Sequence, residues 1–284
     1  MKSVSSKNIL ATSILLLLIV LLSGCGSSLE KGRKPSADWS RALPINDAAS
    51  SLAGIAVDPR TGAVDIVWPS QDDSGDVALR HVKLDGAAEI VIDQEIARFP
   101  ARVRALQLVS GQDSRTHLFW TAQAHNTKQW KLWHAQLDAQ GEFLESPAQL
   151  SEDTSWVGDY TAVPDVDGGA ALLWQDLDAG GFYFASVSSQ GEVVQGPSAL
   201  IQAGQTASLG LDSDGSVHLV WMEGNQLYYQ SLAAVERVPV EGTRLMNIPI
   251  GTGDRLHWFR DRSFNPLDYL QVFCGRRFFF RLRP

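Results

Sequence analysis

This sequence predicts an all-β fold assembled from one repeated antiparallel unit, and three observations carry that prediction. Five short segments end in tryptophan, each with a large aliphatic residue two positions earlier. Turn-forming aspartate or glycine precedes four of the five. No segment after the N-terminal signal shows a sustained helical period with capping signals.

The tryptophans are Trp68, Trp120, Trp174, Trp221 and Trp258, spaced 52, 54, 47 and 37 residues apart. The residues two positions before them are Ile66, Leu118, Leu172, Leu219 and Leu256. Alternate residues of a strand share a face, so each aliphatic residue and its tryptophan point the same way. Gly62, Gly168 or Gly215 stands six residues ahead of the tryptophan, and Asp113, Asp167 or Asp214 seven ahead. Asp-Gly favours a hairpin turn, because glycine accepts positive φ and aspartate bonds nearby amides. Antiparallel partners are therefore expected at 52–57, 105–109, 159–163, 206–211 and 244–250. Third strands follow at 77–84, 130–137, 181–187 and 226–232, and fourth strands at 89–93, 142–146, 192–195 and 235–240.

Four antiparallel strands in each repeat of roughly 40 to 54 residues describe the blades of a β-propeller. The competing all-β fold is a sandwich, which lacks strict repetition. The expected domain spans 39–270, with five blades or as part of an incomplete larger propeller. In the five-bladed reading, residues 39–45 supply a strand to the fifth unit. The terminal stretch 271–284 departs from the rest, with four Arg, three consecutive Phe and no acid. It is expected to be a disordered tail or a truncated end, which leaves open that the chain is a fragment of a longer propeller lipoprotein.

The N-terminus has its own logic. Lys2 and Lys7 precede an apolar run over 9–22, broken only by Thr12 and Ser13, and Ser23-Gly24-Cys25 follows. Basic, apolar and small-residue regions in that order make an export signal over 1–24. Leu22-Ser-Gly-Cys25 resembles the lipobox of bacterial lipoproteins, which implies acylation of Cys25. Each buried methylene adds about 0.8 kcal/mol of membrane affinity. Residues 25–38 read as a lipidated start and flexible tether. The expected location is the cell membrane or outer membrane, facing the extracytoplasmic side. With Cys25 acylated, Cys274 has no partner in the chain, so stability must come from a buried core rather than disulfides.

Removing residues 1–24 takes away two lysines and no acid, moving the formal charge from −8 to −10. From Leu132 to Glu236 there is no Lys or Arg, against fifteen Asp and Glu. Such a surface repels nucleic acid and anionic sugars. The partners expected are the membrane, through Cys25, and a protein or glycan ligand, with no nucleic acid.

The five series tryptophans are expected to pack between blades. Trp130, Trp133, Trp156 and Tyr160 lie outside that series and are the candidate ligand-stacking residues. His117 and His218 share one repeat position, and His81 and His134 another. No spacing typical of a metal site accompanies them, and no metal or cofactor is expected. Asp165-Val-Asp167-Gly168 and Asp212-Ser-Asp214-Gly215 match half of a calcium loop and lack its remaining ligands. Turn chemistry accounts for both.

The unit Asp214-Gly-Ser-Val-His-Leu-Val-Trp221 resembles the repeats of sialidase-like (BNR-type) bacterial propellers, over about residues 50 to 260. The family's box runs Ser-x-Asp-x-Gly-x-Thr-Trp; here Asp and Gly are adjacent and no Thr-Trp follows. The resemblance implies the fold and invites glycoside hydrolysis, which in sialidases uses a Tyr nucleophile, a carboxylate and three arginines. Arg98-Phe99-Pro100 is similar to the family's Arg-Ile-Pro motif but follows the first unit instead of preceding it. The span without Lys or Arg makes an arginine triad hard to build. The function expected is a non-catalytic binding or scaffold module for protein or neutral glycan partners. The alternative is a divergent sialidase-like glycosidase, and no catalytic residue is assigned.

Overall fold

The computed structural model describes residues 53–232 and 243–247, apart from 72–74, 112–113, 203, 205, 213–215 and 225. The expectations placed on Cys25, Trp39, Asp113, Asp214, Trp258, Cys274 and 271–284 lie outside these residues. So do the proposed tether and the expected fourth strand at 235–240.

Among the described residues, sixteen strands form four four-stranded antiparallel sheets, each in simple sequence order. Blade 1 comprises β1 (Gly54–Val57), β2 (Val64–Gln71), β3 (Val77–Leu84) and β4 (Ile90–Phe99). Blade 2 comprises β5 (Ala101–Ser110), β6 (Thr116–Ala124), β7 (Lys131–Leu137) and β8 (Ala148–Gln149). Blade 3 comprises β9 (Val157–Pro164), β10 (Ala170–Asp176), β11 (Gly181–Val187) and β12 (Val193–Ile201). Blade 4 comprises β13 (Thr206–Leu211), β14 (Val217–Glu223), β15 (Gln226–Leu232) and β16 (Thr243–Asn247). First strands of successive blades lie side by side, β1 on β5, β5 on β9 and β9 on β13. This is the propeller arrangement, with the first strand of each blade innermost.

The core lies in the seams between blades. Between blades 1 and 2, Val67 and Leu79 meet Leu118 and Trp120. Between blades 2 and 3, Phe119 and Leu132 meet Leu172 and Trp174. Between blades 3 and 4, Leu173 and Phe184 meet Leu219 and Trp221. Each aliphatic–tryptophan pair thus faces the preceding blade. Inner strands approach closely at Gly54, where an added Cβ would stand 2.4 Å from Leu108 Cδ1.

The turns repeat as well. Asp85 Oδ1 accepts from the amides of Ala87 and Glu89, and Asp138 Oδ1 from those of Gln140 and Glu142, all at 2.9 Å. Ser188 does the same for Gln190 and Glu192 at 3.2 Å. The calcium-like sequence Asp165–Gly168 is a turn too, and residues 213–215 of the second lie outside the described residues. Asp165 Oδ1 takes the Val166 amide at 2.7 Å, and Asp212 binds the Ser216 amide at 3.0 Å and His218 Nε2 at 3.0 Å.

The outer strands β4 and β12 run six residues past the expected ends at 93 and 195, and three further differences stand out. First, β5 begins at Ala101 rather than at 105, because Ala101 to Arg104 pair with Ala124 to Thr121. A bulge at Ala105 (φ 53°) then interrupts the ladder and hides this extension from a period-2 reading. Second, the fourth strand of blade 2 is β8, not 142–146. Phe143 makes only an isolated bridge to Leu137, and Pro147 offers no N–H for a continuous ladder. Third, Thr243–Asn247 does not open a fifth blade. It pairs antiparallel with β15, Gln226 opposite Asn247, and is the outer strand of blade 4.

Candidate functional site

The four candidate stacking residues divide into two pairs. Tyr160, on β9, stands directly opposite Trp174 on β10 and is 8% exposed. Its hydroxyl lies against the carbonyls of Ala105 and Phe119, 2.8 Å from the latter. Burial pushes its pKa well above the usual tyrosine range. Tyr160 is therefore part of the seam between blades 2 and 3. Trp133 stands opposite Trp120 with ring centroids 6.5 Å apart and planes at 16°. Tyr183 against Trp174 and Tyr228 against Trp221 make the same stack at 6.0 and 5.3 Å. So Trp133 belongs to the repeat as the cross-strand partner of a series tryptophan, which corrects its assignment as a residue outside it.

Trp130 and Trp156 remain half-buried at one end of the blades. Their segments are joined there, since the Val157 amide donates to the Trp130 carbonyl at 2.9 Å and the Leu177 amide to the Trp156 carbonyl at 2.8 Å. The Lys131 ammonium holds the intervening loop by donating to the carbonyls of Asp153 and Ser155, both at 2.5 Å. Asp176 fixes the neighbouring turn by accepting from the amides of Asp178 (2.9 Å) and Ala179 (3.0 Å). Burial opposes its ionisation, but the donors from Ala179, Ser155, Asp178 and Trp156 outweigh it and lower its pKa.

Sequence reading missed the charged residue that completes this rim. The Arg104 guanidinium, exposed on inner strand β5, lies 4.1 Å from the centre of the Trp130 ring. Partial burial lowers its pKa and the charge of Asp159, exposed on the adjoining strand β9, opposes that shift. Arginine stays protonated in either case. The rim thus presents a cation on an indole face, a carboxylate on the neighbouring inner strand, and a second half-buried indole. The alternation Arg102-Val-Arg104 is the signal for it, and it lies wholly before the expected strand start at 105.

His81, His117 and His134 are buried at the seams, while His218 is bonded within blade 4. His81 Nε2 contacts Asp65 Oδ1 at 2.8 Å, and Asp65 Oδ2 accepts from Thr116 of blade 2 at 2.9 Å. His117 and His134 contact one another, and His218 lies between Asp212 and Tyr229. Among the described residues no three His, Cys, Asp or Glu are placed to hold a metal ion. An open cleft of about 610 Å³ lies at the opposite end of blades 1 and 2, lined by Lys83, Asp93, Gln94 and Gln140. Its walls are tied together by Gln94, which donates to the carbonyls of Gln140 (3.2 Å) and Gly141 (3.1 Å).

No protein-family model matches the chain, and no curated protein matches it. Solved structures do resemble it. A protein of unknown function from Dyadobacter fermentans is 11% identical, with a TM-score of 0.50, over 72% of this chain and 67% of that one. The GH43_1 enzyme from Xanthomonas citri is 14% identical, with a TM-score of 0.42, over 72% and 77%. A GH43 β-xylosidase/α-arabinofuranosidase from a compost microbial metagenome, solved with xylotriose, is 14% identical, with a TM-score of 0.44, over 82% and 88%. What the first of these shares with this chain is the fold. Fold alone does not assign an activity.

Proposed function

We propose that this chain is a lipid-anchored, extracytoplasmic propeller that acts as a non-catalytic binding module for a protein or neutral glycan. The observation that carries this reading is the Arg104 guanidinium 4.1 Å over the Trp130 ring, with Asp159 on the adjoining inner strand. Such a rim supplies a π face, a fixed fork of donors and an acceptor to hydroxyls or amides, the mixture that orients a polar ligand. The chemistry around it is directed inward. Tyr160, the residue type that the sialidase-like resemblance would make a nucleophile, is buried with its hydroxyl on backbone carbonyls. The Cys25 lipobox supports anchoring at the cell membrane or outer membrane.

The test uses purified protein against a glycan array and a panel of aryl glycosides, together with capture of cell-surface proteins. The result expected is saturable binding without turnover, weakened at least tenfold by Arg104→Ala and by Trp130→Ala. Turnover of any glycoside that is abolished by Asp159→Asn would establish the divergent glycosidase reading in its place.

A further inference from the structure

Blade 1 has the same apolar face as the other blades; Trp68 and Val82 on it are buried, at 3% and 0% exposed, but its inner-strand end is open. In every blade the residue two before the tryptophan pairs with an inner-strand residue: Ile66 with Ile55, Leu118 with Leu108, Leu172 with Ala162, and Leu219 with Leu209. Directly paired residues share a face, so these four pairs are equivalent. In blades 2, 3 and 4 the preceding blade covers them, and Leu118, Leu172 and Leu219 are wholly buried. In blade 1, Ile55 is 61% exposed and Val57, on the same face, is 53% exposed. Ile66 is only half-buried.

We propose that this face is the docking surface for residues 248–284 of the same chain, folded as the next blade. The course of the chain supports this occupant. It leaves blade 4 on the outer strand β16 at Asn247. At each earlier crossing the chain passes from an outer strand to the inner strand of the next blade, over Pro100, over 150–156 and over 202–205. The same order of crossings, continued after 247, would begin a blade beyond blade 4, and in a five-fold ring that position adjoins blade 1. Residues 253–258 also carry Leu256 and Trp258 at the spacing shared by the other four blades. The surface offered is Ile55, Val57 and Ile66, an apolar patch that suits the far face of a blade, as Leu173 and Phe184 suit Leu219 and Trp221.

The test places a photo-reactive benzoylphenylalanine at Ile55 in the full chain, with mass spectrometry of the irradiated protein. The result expected is an intramolecular adduct within 248–284 at monomer mass. The same probe at Val194, 69% exposed on outer strand β12, should give none there. An adduct at dimer mass would make the occupant a second copy, an adduct within 39–52 would give the face to the N-terminal segment, and no adduct would leave the face to solvent. Each of these three overturns the proposal. The probe at Val57 gives an independent reading if the Ile55 variant does not fold.

Discussion

His117 Nδ1 lies 3.1 Å from His134 Nε2 in the seam between blades 2 and 3, with the two rings stacked at 5.3 Å. Both are buried. His117 Nε2 faces the Gly168 carbonyl at 3.2 Å, so it carries the proton, and His117 Nδ1 accepts from His134 Nε2–H. Protonation of His117 at Nδ1 removes that acceptor and puts a charge in the seam. Burial lowers the pKa of His117 to about 4, aided by Arg115 and opposed by the Gly168 carbonyl. Burial and the neighbouring His117 lower that of His134 to about 3.

The pair makes the fold acid-sensitive in a defined window. A histidine whose pKa is depressed in the folded state binds more protons when unfolded. Its contribution is complete above the unfolded value of 6.5 and is lost as pH falls from there towards the folded value. Each ring adds a slope of up to ~1.4 kcal/mol per pH unit in that range. Asp65 acts elsewhere: burial raises its pKa, but His81, Lys83 and Thr116 outweigh it, so its contribution fades only below 3.8. Urea unfolding at pH 7.5, 6 and 5 should therefore show a steep fall in stability. The double variant H117A/H134F, copying Ala171 and Phe184 at the equivalent positions of blade 3, should flatten that fall. An unchanged pH slope would remove the pair from this role.

The seam tryptophans should dominate stability. Trp174 is 1% exposed and lies among Phe119, Leu132, Leu172 and Val187. Trp174→Ala should cost about 3 to 5 kcal/mol, measured by chemical denaturation. A cost below 1 kcal/mol would mean that the seam does not hold these blades together.

Tyr160 gives a sharper test of structure against chemistry. Its hydroxyl is the donor available to the carbonyls of Ala105 and Phe119. Tyr160→Phe should therefore cost about 1 to 3 kcal/mol of stability while leaving the affinity of the Arg104 rim unchanged. Loss of binding without loss of stability would move Tyr160 into the site.

The sequence displayed the blades because their signal is local. Trp68, Trp120, Trp174 and Trp221 recur with an aliphatic residue on the same strand face, and the predicted 206–211, 181–187, 77–84 and 226–232 coincide with strands of the structure. What it did not display is register between strands. Trp133 and Tyr160 looked like exceptions to the repeat, yet each stands directly across a ladder from a series tryptophan. Arg104 and Trp130 are 26 positions apart in the chain and meet only through the pairing of β5, β6 and β7. The assignment of Thr243–Asn247 failed for the same reason, because an alternating segment does not reveal whether it is an inner or an outer strand.

Two glycines with the same backbone conformation should separate strain from crowding. Gly180 has φ 75° and open space where a Cβ would project; Gly141 has φ 79°, and its Cβ would stand 2.3 Å from His81 Nδ1. Both substitutions to alanine carry the left-handed penalty of about 1 to 2 kcal/mol. Gly141→Ala must in addition displace His81, which is wholly buried and bound to Asp65 at 2.8 Å, or move the turn of blade 2 that packs on it. The alanine at 141 should therefore cost at least about 1 kcal/mol more than the one at 180, a penalty in the range of core overpacking. Paired denaturation curves measure the difference. Equal costs would show that the blade 2 turn yields freely, and that the contact between Gly141 and His81 does not fix the seam between blades 1 and 2.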